Sequence, residues 1–253
     1  MGKAVLKENG VIWTSYLRFY YLSSAVAERS FAALDERRKR LHLPGLNSAG
    51  LNKLIWESWD WNAEGEEWTP SPEWKRSVLD TILAKHIPEN GKVVEIGPGG
   101  GRWTETLLER SDHVTAVDIS EECLKVCSER FSESENISFV LTPGDCLPEV
   151  EDGSIDAIWS FDVFVHINRK EVSKYAIDMF RVLRPGGVGV IHHGTVGGEN
   201  GGWRSNMTAQ GMIDELESAG FEIVDQFTEW TDQGKEHQAG LYGDAVTVFK
   251  KPG

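Results

Sequence analysis

From Glu73 onward, short apolar runs alternate with amphipathic stretches. Residues 93–96, 113–118, 137–141, 155–160 and 188–191 are rich in Val, Ile and aromatic side chains, and they read as buried strands. Between them, residues 73–87, 103–110, 120–131 and 170–183 repeat apolar positions at helical spacing, as Val78, Leu79, Ile82 and Leu83 do in the first. Ser120 reads as an N-cap with Glu121 and Glu122 in the first turn behind it. A helix over 208–219, stopped by Gly220, precedes two more strands at 221–228 and 244–250. Alternation of this kind predicts an α/β domain around a mainly parallel sheet.

Residues 1–72 have a different pattern. Residues 12–41 read as one or two helices, first aromatic (Trp13, Tyr16, Phe19, Tyr20, Tyr21) and then charged, broken by Pro44-Gly45. A second stretch holds Trp56, Trp59, Trp61 and Trp68, so that six of the ten tryptophans lie at or before Trp74. We therefore divide the chain into a helical, Trp-rich cap (1–72) and a sheet domain (73–253). The cap either packs its rings on the sheet domain or a second subunit, or forms a lid whose aromatic walls exclude water. Tyr16, Tyr20 and Tyr21 could line a pocket or simply pack.

The candidate chemistry begins where the first strand ends. Glu95-Ile96-Gly97-Pro98-Gly99-Gly100-Gly101 brings an acid into a glycine turn, followed by the start of a helix. Such a turn lets backbone press against a ligand, and the helix N-terminus behind it offers unpaired N–H groups. Asp118 ends the second strand, 21 residues after Gly97, where a carboxylate can accept hydrogen bonds from ribose hydroxyls.

These residues resemble the first motifs of the class I S-adenosylmethionine (SAM)-dependent methyltransferases, and the likeness runs from about Glu73 to the C-terminus. Pro143-Gly144-Asp145-Cys146 resembles their turn after strand three, and Arg181-Val182-Leu183-Arg184-Pro185-Gly186-Gly187 their turn before strand five. The resemblance implies a Rossmann-like seven-stranded sheet, mostly parallel with its last strand antiparallel, behind an N-terminal helical cap. It implies SAM as cofactor, with Glu95, Gly97, Pro98, Gly99 and Gly101 around the turn. Asp118 and Ile119 would serve the ribose, Asp145 and Cys146 the adenine, and Phe161 the region between strands one and four.

Asp162, His166, His192 and His193 fall at the carboxyl ends of strands four and five, where ligands collect in such sheets. A hydroxyl acceptor needs its proton removed, and histidine can take it near neutral pH. His166 or His192 is the expected base, with Asp162 orienting a histidine or touching substrate, or else holding the SAM amino group or capping the next helix. Adjacent His192 and His193 point apart in an extended strand, so we expect no metal site. Arg102 could meet the cofactor carboxylate or an acid such as Glu66 or Glu67. Residues 195–207, with Trp203 and Arg204, read as a mobile lid.

Composition narrows the partners. A formal net charge of −14 opposes nucleic acid, whose phosphates need Lys and Arg to neutralise them. Three cysteines without a CxxC pattern suggest reduced thiols in the cytoplasm, and no signal peptide or membrane-spanning run is expected. The expected activity is O-methylation of a small molecule, such as a sugar or secondary metabolite. N-methylation of an amine or peptide is the first alternative. A non-catalytic SAM-binding protein and a nicotinamide dehydrogenase follow. The aromatic N-terminal segment could also bury itself in a homodimer.

Overall fold

The structure, a computed structural model, describes residues 2–41, 47–198, 204–240 and 242–253. It falls into two compact units, Met1–Gly45 and Leu46–Gly253. The Trp-rich stretch thus belongs with the sheet rather than with the first helix, and the expected division at 72/73 lies inside the second unit. The Pro44-Gly45 break lies outside the described residues.

The first unit is α1 (Gly2–Leu41), kinked at Gly10, where φ is 77°. Trp13, Tyr16, Phe19, Tyr20 and Tyr21 are exposed on it. In its last turns Asp35 pairs with Arg38 and Lys39 at 2.7 and 3.0 Å. No described helix is long and apolar enough to cross a membrane.

The second unit opens with α2 (Ala49–Glu57), whose N-cap Ser48 accepts from the Leu51 N–H. Two single 3₁₀ turns, Trp61–Ala63 and Glu66–Trp68, follow. Ser71 caps α3 (Pro72–Val78), which continues through a π turn, Leu79–Leu83, into the short α4 (Ala84–His86). Then β1 (Lys92–Ile96), α5 (Thr104–Arg110), β2 (His113–Asp118), α6 (Glu121–Arg130) and β3 (Ile137–Leu141) alternate as the apolar pattern predicts. They are followed by β4 (Ile155–Phe164), α7 (Arg169–Val182), β5 (Leu183–His193), α8 (Ala209–Ser218) and β6 (Glu222–Phe227). The chain closes with β7 (Glu229–Asp232), β8 (Lys235–Gln238) and β9 (Ala245–Lys250).

Seven strands form one sheet in the order β3-β2-β1-β4-β5-β9-β6. The pairs from β3 to β5 are parallel, and β9 runs antiparallel to both β5 and β6. This is the expected Rossmann-like fold with its last strand reversed. Alternation buries both faces. Val94, Phe164 and Ile191 face Val172, Tyr175 and Met179 of α7 and Leu216 of α8. On the other face Val93, Trp159 and Val190 meet Trp74, Val78 and Ile82.

Two features were not anticipated from the pattern. The hairpin β7–β8 forms a separate two-stranded sheet, turned by Gln233 and Gly234, both at positive φ. A two-residue turn ending in Gly is a local hairpin signal. In β4 the register with β5 slips between Ser160 and Phe164, so Phe161 to Val163 bulge opposite His192 alone. That bulge shapes the site.

Candidate active site

The crossover runs outward in both directions from β1, to β2 on one side and β4 on the other, leaving a crevice at the strands' carboxyl ends. Gly97, Pro98 and Gly99 line this cleft on one side, with Asp118 and Ile119 beyond them. Gly97 has φ 73°, and a Cβ there would lie 2.3 Å from Val163. Gly99 has φ 55°, with the Trp61 ring 2.8 Å from where its Cβ would be. Only glycine meets both demands.

Asp118 is 7 % exposed, and its carboxylate accepts from the Ser120 N–H at 2.9 Å and from the backbone N–H groups of Gly99 and Ile119. Burial pushes its pKa up to about 6, against those hydrogen bonds. Glu95 lies behind the turn rather than on the cleft surface. It accepts from Thr104 Oγ1 at 2.6 Å, while its Oε1 is buried without a partner. Burial raises it to about 7, with the Asp118 charge adding to the effect. Gly101 also stands back, its backbone against the Phe131 ring.

The β4 bulge builds the opposite wall. Phe161, Asp162, Val163 and His166 line the cleft. Asp162 has φ 64°, a left-handed conformation that aspartate tolerates better than most residues and that is found at functional sites. Its carboxylate bonds Arg102 Nη2 and lies 3.0 Å from His192 Nδ1, which also receives the Asp162 N–H at 3.1 Å. Burial would raise Asp162, but His192 and Arg102 hold its carboxyl well below the usual range. His192 is fully buried, stacked on Phe161 at 4.3 Å, and is not part of the cleft lining. Its Nε2 lies 3.9 Å from Asp244 Oδ2, and Asp244 in turn bonds Arg204. The expected base therefore splits into two residues: His166 at the cleft, and His192 behind it, holding Asp162. His193 is buried between Gly194 O at 2.8 Å and Thr247 Oγ1 at 2.7 Å, and burial lowers its pKa to about 4.

The Trp-rich segment supplies a further wall. Trp56, Trp61 and Trp68 line the cleft with ring centroids 5.9–6.0 Å apart, and Trp56 meets the His166 ring at 5.4 Å. Asn52 donates to the His166 carbonyl at 3.1 Å, fixing the histidine's backbone. Arg130 reaches both the Gly100 carbonyl (2.9 Å) and Glu64 (3.1 Å), tying this segment to the glycine turn. Of the acids suggested as partners for Arg102, Glu66 pairs with Lys75 and Glu67 accepts from Trp59 Nε1.

The turn after β3, expected to serve the adenine, differs in detail from the expectation. Asp145 pairs with Lys174 at 2.5 Å, and neither it nor Cys146 lines the cleft; Thr142, Gly144 and Tyr175 do. Residues 199–203 of the expected lid, Trp203 among them, lie outside the described residues, whereas Arg204 lines the cleft. Arg204 and Asp244 were not singled out as a pair, because 40 residues separate them and only the fold joins them. Glu171, also on the cleft, carried no sequence signal beyond an acid in a helix's first turn.

The residues present fit SAM. The glycine turn is open-backboned, Asp118 is oriented by three N–H groups with acceptor capacity left over, and burial has raised two acids that a cation would relieve. The cleft has a cavity volume of about 210 Å³ and opens to solvent at its mouth.

Comparison with known proteins agrees with this geometry. Residues 93–187 match a family model described as a methyltransferase domain. The demethylmenaquinone methyltransferase of Tropheryma whipplei is 33% identical over 114 residues, 45% of this chain and 45% of the relative. Ribosomal RNA small subunit methyltransferase A of Borreliella burgdorferi is 30% identical over 118 residues, 46% of this chain and 40% of the relative. The chain thus matches less than half the length of these relatives. Phosphoethanolamine N-methyltransferase 1 of Haemonchus contortus, solved with phosphoethanolamine and S-adenosylhomocysteine, superposes with a TM-score of 0.57 at 17% identity, covering 81% of this chain and 50% of that one. At that identity it speaks for the fold. Residues 93–187 thus match a methyltransferase domain, and the structure sets them in a seven-stranded Rossmann-like sheet.

Proposed function

We propose that this protein is a methyltransferase that uses SAM to methylate a small-molecule acceptor. The observation that carries the reading is that one cleft is lined both by the glycine turn with Asp118 and by an aromatic wall with His166. When bound, SAM supplies an electrophilic methyl group on a sulfonium. The protein's own part is to place a nucleophile in line and to exclude water, worth up to about 7–11 kcal/mol in favourable cases. Asp118 binds the ribose. Trp56, Trp61 and Trp68 shield the reacting space.

For a hydroxyl acceptor, of the kind carried by sugars and secondary metabolites, His166 takes the proton. His192, sealed behind Phe161, keeps Asp162 in place. A small acceptor suits the site better than RNA, because the chain's formal charge is −14 and both cleft arginines are already paired with aspartates. Free thiols at Cys123, Cys127 and Cys146 fit a cytoplasmic setting. A second reading, methyl transfer to an amine, is favoured by the tryptophan wall, whose rings attract cations.

Calorimetric titration with SAM, S-adenosylhomocysteine and NAD tests the cofactor. Both sulfur nucleosides should bind, NAD should not, and Asp118→Ala should weaken binding more than tenfold. A preference for NAD would sink the reading. His166→Ala then separates the acceptors: it should slow methylation of a hydroxyl by about 10²–10⁴-fold and spare a neutral amine.

A further inference from the structure

The charges around the cleft do not balance, and the imbalance points at the acceptor. Among the described residues, the acidic and basic side chains lining it, apart from His166, are Arg102, Asp118, Asp162, Glu171 and Arg204. Arg102 is matched by Asp162, and Arg204 by Asp244 just behind the wall. Asp118 is held by backbone N–H groups on the cofactor side. Glu171 remains. It is half-buried, and among the described residues no hydrogen bond or ion pair engages its carboxylate. The neighbouring cation, Lys174, is bonded to Asp145 at 2.5 Å and reaches Glu171 only through a longer-range attraction, without an ion pair. As an acid in the first turn of α7, Glu171 complements the helix dipole, but that role does not require a place on the cleft wall.

The same cleft presents Trp56, Trp61 and Trp68, packed as one aromatic surface. Indole faces attract cations, and a carboxylate on the same cleft without an ion-pair partner can add a counter-charge. A neutral acceptor would leave Glu171 uncompensated when water is displaced. An anionic acceptor would meet Glu171 and find both arginines already neutralised.

We infer that the acceptor carries a cationic ammonium group, seated against the wall of Trp56, Trp61 and Trp68 with Glu171 as its counter-charge. Glu171 is then a specificity-determining residue whichever atom takes the methyl. The inference rests on the methyl-transfer reading only in taking this cleft as the acceptor's.

The test is calorimetric titration of the full chain with choline and with its neutral isostere 3,3-dimethylbutan-1-ol, each with and without saturating S-adenosylhomocysteine. Choline should bind at least tenfold more tightly than the isostere. Glu171→Gln should bring choline to the level of the isostere, Glu171→Asp should keep most of the preference, and Trp68→Ala should weaken choline at least fivefold. Equal binding of the two probes, no detectable choline binding, or a preference that survives Glu171→Gln overturns the inference. Failure to bind S-adenosylhomocysteine alongside an intact choline preference would remove the methyl-transfer reading and leave the cationic site standing.

Discussion

Asp118 and Asp162 stand on the strands either side of β1, both on the cleft, and they are held in opposite ways. Burial acts on both. Asp118 has only backbone N–H groups for company and rises to about 6, whereas His192 and Arg102 draw Asp162 well below the ordinary range. The half of the cleft we assign to the cofactor is made mainly of backbone and leaves its acids short of a cation. The half we assign to the acceptor brings its own cations on side chains and uses them up. A ligand must complete the first half, while the second is largely assembled before anything binds.

The largest effect should come from breaking that assembly. Arg102→Ala leaves the Asp162 carboxylate without its guanidinium. Arg102 is 5 % and Asp162 31 % exposed, so we expect the low end of the cost for splitting a buried pair, about 3 kcal/mol by urea denaturation. Asp162, being depressed, contributes stability present above the ordinary aspartate value of 3.8 and lost as pH falls through its folded value. Arg102→Ala should flatten that acid limb. A loss under about 1 kcal/mol would mean the pair is not what fixes the acceptor half.

Backbone in the cofactor half comes next. Gly97→Ala puts a Cβ at φ 73° and 2.3 Å from Val163. Left-handed strain and overpacking together should cost about 2–3 kcal/mol. Binding of S-adenosylhomocysteine should fall with it. Unchanged binding would show that the turn does not press on the cofactor.

Glu95 gives a pH-dependent test. Its folded pKa, about 7, is raised above the ordinary 4.5, so its contribution is full below 4.5 and is lost as pH rises through 7. The unliganded protein should therefore lose on the order of 3 kcal/mol between those values. Glu95→Gln should remove its share of this slope and leave the part between 3.8 and 6 that the raised Asp118 contributes. A loss between pH 6 and 7 that survives the substitution would place its origin elsewhere.

The two halves were also unequally legible in the sequence. The glycine turn, Asp118 and the Ser120 cap are local demands on backbone, so they show in spacing alone. The seven strands could be read for the same reason, since a sheet covered on both faces makes continuous apolar runs. The other half depends on distant meetings: Trp61 over Gly99, Arg204 on Asp244, and Glu171 on the same cleft as the tryptophans. The slip that sets Phe161 to Val163 opposite His192 is a matter of register, which no run of residue types encodes. His192 was expected on the cleft because it ends a strand. It is buried because β5 lies between β4 and β9, with Phe161 stacked over its ring.

The finest test compares two small losses of similar size. Ser120 Oγ accepts from the Cys123 N–H at 3.2 Å and caps α6 beside Asp118. Asn52 donates to the His166 carbonyl at 3.1 Å on the other side of the cleft. Ser120→Ala and Asn52→Ala should each cost about 1 kcal/mol of stability, one as a lost cap and the other as a lost hydrogen bond. If the halves are built separately, their binding effects should not mix. Ser120→Ala should weaken S-adenosylhomocysteine by up to about fivefold and leave choline binding alone, and Asn52→Ala should do the reverse. Should both substitutions weaken both ligands equally, the cleft would be one cooperative unit, and the contrast between Asp118 and Asp162 would describe local chemistry without a functional division behind it.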